Sequence, residues 1–477
     1  MKQVDTDVVV IAAGTAGLAA AVSAAEFGAN VSVFEKTNHI GGTSNIARAI
    51  FAVESRLQKQ KNFTFSKDEA FKLHMEHAHW QVDARLVRAH IEKSADTIAW
   101  LENMGVKFDG PSAYYPGSFF TEHTIAREGD APGNTSAVPK VLTQKAEELG
   151  VTFFLKTPVN RILKENGRIS GIIARDEIGN EIRANAKAVI VATGGFGSNP
   201  EWVRKYTGID PDLIQMKMPG GEGVMMAWEV GAGKTLMTLH INDQIEGIPR
   251  NSPVIWGSFR QPNLMVNLLG ERFVNEELLT NATFMGNALL RQKKACGFMI
   301  YDEGTRAYSS QTTAGLPMGP PGTKAMTFDE ELAQLLEKSP GVIIVAGSLE
   351  ELANKASINT GILRQTVDEY NQCCAAGYDD LFNKNRRYLK KIKTPKFYAA
   401  KYVPGAFGTL GGIKINYRTE VLTDDFEMIP GLYAAGSDAN SIYGDSYTMM
   451  MPGNTMGFAY NSGRIAGENA AKYARGN

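Results

Sequence analysis

Val8-Val9-Val10-Ile11 is apolar at every position, the pattern of a strand covered on both faces rather than one with a solvated side. Small residues, Ala12 to Gly17, interrupt the block, and Leu18 to Phe27 then resumes as an apolar stretch long enough for a helix. A second apolar strand, Val31-Ser32-Val33-Phe34, ends in Glu35-Lys36. The same kind of block returns far downstream. Ala188-Val189-Ile190-Val191 runs into Ala192-Thr193-Gly194-Gly195-Phe196-Gly197, and Pro430-Gly431-Leu432-Tyr433-Ala434-Ala435-Gly436 precedes Ser437-Asp438. A helix is predicted over Thr455 to Ala474, and Ser348-Leu349-Glu350-Glu351 reads as a capping box opening another. Buried strands alternating with helices predict an α/β fold with a parallel sheet. Glycine-rich strand ends so far apart can meet if both ends of the chain build one sheet.

At 477 residues the chain exceeds one hydrophobic core, so two domains are expected. Hydrophobic content of 43% and charged content of 21% are ordinary for a globular protein. Lys+Arg 50 against Asp+Glu 51 argues against nucleic acid or an anionic membrane as the main partner. The one dense basic stretch, Lys384 to Lys396, reads as a solvated face rather than a docking patch. Three cysteines, Cys296, Cys373 and Cys374, lack the spacing of a disulfide framework, a zinc or iron–sulfur site or a haem attachment, which predicts a reduced, cytoplasmic protein. Val8 to Ala25 is apolar enough to resemble a signal peptide, but Gly14, Gly17 and the closing Glu26 favour a buried strand and helix. No other segment reads as a membrane span, and no internal repeat is evident. In His74-Met75-Glu76-His77-Ala78-His79, two histidines share a helix face without a further ligand, so a solvated helix is expected there and no metal.

The opening strand, turn, helix and strand form a dinucleotide fingerprint. Ala13, Gly14, Ala16 and Gly17 make the turn: Gly14 lets the backbone approach a pyrophosphate, and Gly17 lets the helix pack on the strand. Glu35, about twenty residues downstream, is placed to accept ribose hydroxyls, with Lys36 beside it. Ala12 replaces the first glycine of the fingerprint, which predicts a negative φ there. His39-Ile40-Gly41-Gly42-Thr43-Ser44 follows, a glycine pair that lets backbone pass close to a large ligand. Ala192, Thr193 and Gly194, then Gly436, Ser437 and Asp438, then Asn454, Thr455 and Met456 at the start of the terminal helix, with Val159, complete the candidate set. Contacts spread this widely suit a long, extended cofactor, FAD.

These pieces resemble the flavoprotein family of fumarate reductase, succinate dehydrogenase and 3-ketosteroid dehydrogenase. The resemblance covers nearly the whole chain. It rests also on Gly221-Glu222-Gly223-Val224, on Met265-Val266-Asn267-Leu268-Leu269-Gly270-Glu271-Arg272-Phe273-Val274-Asn275-Glu276, and on Thr394-Pro395-Lys396-Phe397-Tyr398-Ala399. It implies a Rossmann-type, doubly wound FAD-binding domain from residues 1–238 and 400–477, interrupted by an α+β capping domain over 239–399. Arg272 and Glu276 are expected to make a structural contact in the cap. Hydride would pass between flavin N5 and a substrate carbon while a side chain handles a proton.

Where this chain departs from the family, the implied substrate changes. Gly408 stands in Phe407-Gly408-Thr409-Leu410-Gly411-Gly412 where fumarate reductases carry a histidine. Thr280 or Asn281 holds the place of the proton-donating arginine, and Met449-Met450-Met451 that of a carboxylate-binding one. A dianion buried without cations would cost several kcal/mol, so C4-dicarboxylates are not expected. The stretch resembles instead the ketosteroid dehydrogenase branch, which implies catalysis by Tyr447 or Tyr443. A methionine-rich lining suits a neutral, cyclic or polycyclic substrate: a steroid, an enone, or a polyphenol of the kind a tetrahydrodaidzein reductase takes. Thr43-Ser44-Asn45 lacks an attachment histidine, so FAD is expected to be non-covalent. Electrons would come from, or pass to, NAD(P)H, a reduced flavin or a redox protein. The alternatives are a reductase of a small unsaturated acid, or an electron-transfer subunit of a larger complex.

Overall fold

The computed structural model describes residues 2–47, 49–115, 117–126, 137–213, 219–248, 252–311 and 326–476. The strands Val8–Ile11, Val31–Phe34, Ala188–Val191 and Met428–Ala434 lie parallel and adjacent, with Val9 opposite both Ser32 and Val189, and Ile190 opposite Tyr433. Thr152–Phe154 and Glu420–Leu422 close the two edges of this six-stranded sheet. Val8, Val9, Val10, Val189 and Ile190 are all 0% exposed, as strands covered on both faces should be. One sheet is thus built from the beginning, middle and end of the chain.

The helices beside the sheet pack through small residues. Thr15–Glu26 carries Ala16, Ala19, Ala20, Ala21 and Ala24, and the terminal helix Asn454–Arg475 presents Gly463 and Gly467 to it. A Cβ on Gly463 would lie 2.4 Å from the Ala16 carbonyl oxygen, and one on Gly467 would lie 2.3 Å from that of Ala20. Backbone meets backbone there, and any side chain would separate the helices.

The chain forms two compact units, Met1–His240 with Phe407–Asn477, and Ile241–Ala406. Strand alternation organises the second. Met265, Met299, Tyr301, Tyr398 and Tyr402 join one apolar cluster, and Val266, Phe298, Ile300, Phe397 and Ala399 join another. Successive residues of each strand therefore feed cores on opposite faces. Between elements of this unit lies a buried ionic group: Arg272 bridges Glu276 at 2.9 Å and Asp379 at 2.8 Å, while Lys384 reaches Glu276 at 3.2 Å. The expected Arg272–Glu276 contact is structural. Lys384 is buried with it, so the basic stretch does not begin as a solvated face. Ser348 caps the helix Leu349–Ala356 by accepting from Glu351 N, but the Glu351 carboxylate turns to Gly347 N at 2.7 Å, so only half of the expected box forms. Among the described residues no helix is long and apolar enough to cross a membrane.

Ala12 corrects the sequence expectation, for its φ is +82° rather than negative. The fingerprint turn demands the left-handed conformation whichever residue supplies it, at a cost of about 1 kcal/mol for a residue with a Cβ. Ala12→Gly should relieve this, less the extra freedom glycine gains when unfolded. The expected result is a thermal midpoint raised by about 1–2 °C, with Ala12→Val lowering it, as followed by circular dichroism.

Candidate functional site

The first turn leaves Val8–Ile11 through Ala13 and Gly14, and Gly14 caps Thr15–Glu26 with no side chain accepting from the first-turn N–H groups. Gly41 N donates to Ala13 O at 2.8 Å, and Gly14 and Gly41 form a parallel bridge, so the two glycine segments lie side by side. A Cβ on Gly14 would meet nothing within 4 Å, whereas one on Gly17 would sit 2.0 Å from Ala12 O. The turn is open outward and tight inward. Thr43 and Ser44 lie in the short helical turn Gly42–Ile46 that follows.

Glu35 ends the second strand, buried, with both oxygens engaged. Its Oε2 accepts from Ala13 N at 2.9 Å, and Oε1 from Thr37 N at 2.8 Å and Thr37 Oγ1 at 2.9 Å. In this state Glu35 braces the first turn. Lys36 pairs with Glu222 at 2.6 Å, and Thr157 N donates to Glu35 O at 2.8 Å, which brings the segment leading to Val159 alongside.

The second glycine turn closes on Asp438. Its carboxylate accepts from the backbone N–H of Thr193, of Gly194 at 3.1 Å and of Gly195 at 2.8 Å, and from Thr193 Oγ1 at 2.9 Å. Burial pushes this carboxyl above the usual range, against the pull of the donors. The Asp438 side chain therefore shapes the turn of Ala192, Thr193 and Gly194 from inside the protein. Gly436 packs where a Cβ would lie 2.9 Å from that of Ala16, with Ser437 following it, so this strand end meets the first helix.

At the start of the terminal helix, buried Asn454 accepts from Tyr443 Oη at 2.9 Å and faces His90 Nε2 at 3.0 Å, while its own Nδ2 has no partner. Thr409 Oγ1 is likewise buried and unpartnered. Thr455 N donates to Tyr447 Oη at 3.3 Å, and Met456 packs against the core of the first unit. Unused polar atoms at this end and open N–H groups over Gly14 at the other fit a long cofactor with a polar ring system and a pyrophosphate.

Tyr447 and Tyr443 lie together, with ring centroids 5.0 Å apart. Burial, with the charge of Glu122 adding to it, pushes the Tyr447 phenol up to about 12, and burial raises Tyr443 well above its ordinary value. The segment carrying them is anchored from the helix Lys67–His77. His74 Nε2 donates to Ile442 O at 2.6 Å, and His77 Nε2 to Ser446 O at 3.0 Å. His74 is 1% exposed and held neutral by burial, its pKa near 4. The expected helix is solvated along Asp68, Glu69, Lys72 and Glu76, but its histidine face is a latch, because both histidines find carbonyls on a distant segment. Among the described residues the one possible metal-ligand cluster is Cys373, Asp379 and Asp380, and it includes neither histidine.

Two of the places where the family pattern carries cations have other work here. Thr280 Oγ1 donates to Glu277 O at 2.9 Å, and Asn281 caps the helix Ala282–Leu290. Gly408 leaves open space, since a Cβ there would meet nothing within 4 Å. Met450 accepts from Tyr115 Oη at 3.0 Å. His240, which no sequence motif singled out, stacks on Tyr447 with centroids 3.7 Å apart. His90 and Asn461, bonded to each other beside Asn454, were equally silent; only the i, i+3 spacing of His74 and His77 hinted at a shared partner.

Comparison with known proteins agrees with this geometry. The model of the FAD binding domain family matches residues 7–454. A vinyl phenol reductase of Lactiplantibacillus plantarum is 34% identical over 98% of this chain and 96% of its own. A fumarate reductase (cytochrome) of Shewanella frigidimarina is 29% identical over 99% of this chain and 78% of its own. Among solved structures, the 3-ketosteroid-Δ4-(5α)-dehydrogenase of Rhodococcus jostii superposes with a TM-score of 0.76 at 26% identity, covering 99% of this chain and 98% of that one. The chain belongs to the FAD binding domain family and is an FAD-dependent oxidoreductase related to fumarate reductases, vinyl phenol reductase and ketosteroid dehydrogenases.

Proposed function

We propose that this enzyme reduces a conjugated C=C bond in a neutral, ring-bearing substrate, a vinyl- or enone-substituted phenol being the best fit, and not a C4-dicarboxylate. The observation that carries the reading is the buried, protonated Tyr447 at the start of the terminal helix, with no cation at Gly408, Thr280 or Met450. The vinyl phenol reductase relative, matched along almost its whole length, supports the same class of substrate.

Bound FAD, held without a covalent link, would supply the hydride. Ala13, Gly14, Ala16 and Gly17 would receive its pyrophosphate at the first helix, with Glu35 and Lys36 towards the adenosine. Thr193, Gly194, Asn454 and Thr455 would lie towards the ring system. Tyr447 donates the proton that completes addition of two hydrogens across the double bond. Its phenol keeps that proton at neutral pH because burial disfavours the phenolate. The resulting anion would then rest near the first backbone N–H groups of the terminal helix, one of which already points at Tyr447 Oη. Tyr443 is less well placed, since its hydroxyl is taken up by Asn454. The electron donor is a nicotinamide, a reduced flavin or a redox protein. Free thiols at Cys296, Cys373 and Cys374 support a reducing, cytoplasmic setting.

Anaerobic mixing of the reduced holoenzyme with 4-vinylphenol tests the reading: flavin should reoxidise rapidly, and with fumarate it should not. Fast reoxidation by fumarate alone would reverse the substrate assignment. Tyr447→Phe, with FAD content intact, should slow the reaction by about 10²–10⁴-fold, the usual effect of losing a general acid. With a phenol near 12, the single-turnover rate should show no loss from Tyr447 ionisation between about pH 6 and 9. Acid precipitation should release yellow FAD into the supernatant; flavin retained in the pellet would mean a covalent bond.

A further inference from the structure

His240 lies on the strand Thr238–Ile245, 7% exposed. The Tyr447 ring covers one face of its imidazole at 3.7 Å and 26°, and Phe407 meets it edge-on at 5.7 Å and 73°. Its Nε2 is buried and has no hydrogen-bond partner. Two other buried histidines contrast with this, whereas His74, held through Nε2 to Ile442 O, also leaves Nδ1 unpartnered. His90 places Nε2 against Asn454 and Nδ1 against Asn461, and His123 places Nε2 against Ser55 and Nδ1 against Thr121. Buried polar atoms left unpaired are uncommon in folded proteins, and one lying against the proposed proton donor is accounted for by a ligand that completes its bonding.

Burial also holds the His240 imidazole neutral, its pKa down to about 3. At pH 7 it therefore offers one N–H donor and one lone pair, and no positive charge. Such a group pairs well with a hydroxyl and poorly offsets a carboxylate. A half-turn about the Cβ–Cγ–ring torsion keeps the ring plane stacked on Tyr447 while presenting the nitrogens on the opposite edge. The stack thus fixes the plane and leaves the hydrogen-bonding direction adjustable.

We propose that His240 is a specificity-determining residue of the substrate site, whose neutral imidazole hydrogen-bonds the phenolic hydroxyl of the substrate beside Tyr447. This rests on the phenolic reading above. It separates two duties: Tyr447 delivers the proton to the reacting carbon, and His240 recognises the ring hydroxyl.

Calorimetric titration of the oxidised holoenzyme with 4-ethylphenol and with ethylbenzene tests it, alongside reduction of 4-vinylphenol. His240→Phe keeps a stacking ring and removes both nitrogens. It should weaken 4-ethylphenol binding by about tenfold, the worth of one hydrogen bond, and leave ethylbenzene within about twofold. His240→Leu should give the same selective loss should the larger ring disturb folding, and His240→Gln should restore much of the affinity. Equal weakening for both ligands would reduce His240 to a packing residue, and unchanged affinity for both would remove it from the site. A wild-type enzyme that reduces 4-vinylphenol while the variants bind normally overturns only the His240 role. A wild type that neither binds 4-ethylphenol nor reduces 4-vinylphenol overturns the phenolic reading and this inference with it.

Discussion

Three consecutive backbone N–H groups of the Thr193–Gly195 turn converge on one fully buried carboxylate, that of Asp438. A carboxylate that deep is tolerated only when donors surround it, and a turn with three inward N–H groups is stable only when something accepts them. Each therefore requires the other. The contact ties the end of the Ala188–Val191 strand to the turn after Met428–Ala434, and so joins the middle of the chain to its C-terminal part. Gly195 can approach because it lacks a Cβ, which would lie 2.1 Å from Thr409 Oγ1. With that junction in place, Gly436 comes against Ala16, and the terminal helix comes against the first helix through Gly463 and Gly467.

The second constraint is burial acting on proton-bearing groups. His74, His90, His123 and His240 are all held neutral, with pKa values near 3 or 4, because desolvation penalises the imidazolium. The same effect keeps Tyr447 protonated. Beside the Tyr447–Tyr443 pair therefore lie the uncharged imidazoles of His240 and His74, and the Tyr447 phenol retains its proton. The absence of charge on these groups follows from packing rather than from any single residue type, and it supports the uncharged substrate proposed above. At the places where the family resemblance implies cations, this chain has a helix cap at Asn281, open space at Gly408 and a methionine, Met450, that accepts from Tyr115.

By itself the sequence determined the class of fold, the cofactor and the glycine turns. Unbroken apolar strands, small residues at their ends and an acidic residue after the second strand are local patterns, and their physical meaning does not depend on distant partners. Tertiary structure alone decided the rest. Whether Ala12 keeps a negative φ depended on a turn geometry that outweighs one residue's preference. That the Asp438 carboxylate serves a turn more than two hundred residues earlier in the chain could be seen only once the fold brought the two together. The histidines of Lys67–His77 looked like a solvated face because their carbonyl partners, Ile442 and Ser446, lie at the other end of the sequence. His240 carried no motif, and became a candidate only when folding laid it against Tyr447 and left one nitrogen unpaired. Backbone pattern is encoded over a few neighbouring residues, whereas the protonation and hydrogen bonding of a side chain are set by whatever the fold brings within a few ångströms of it.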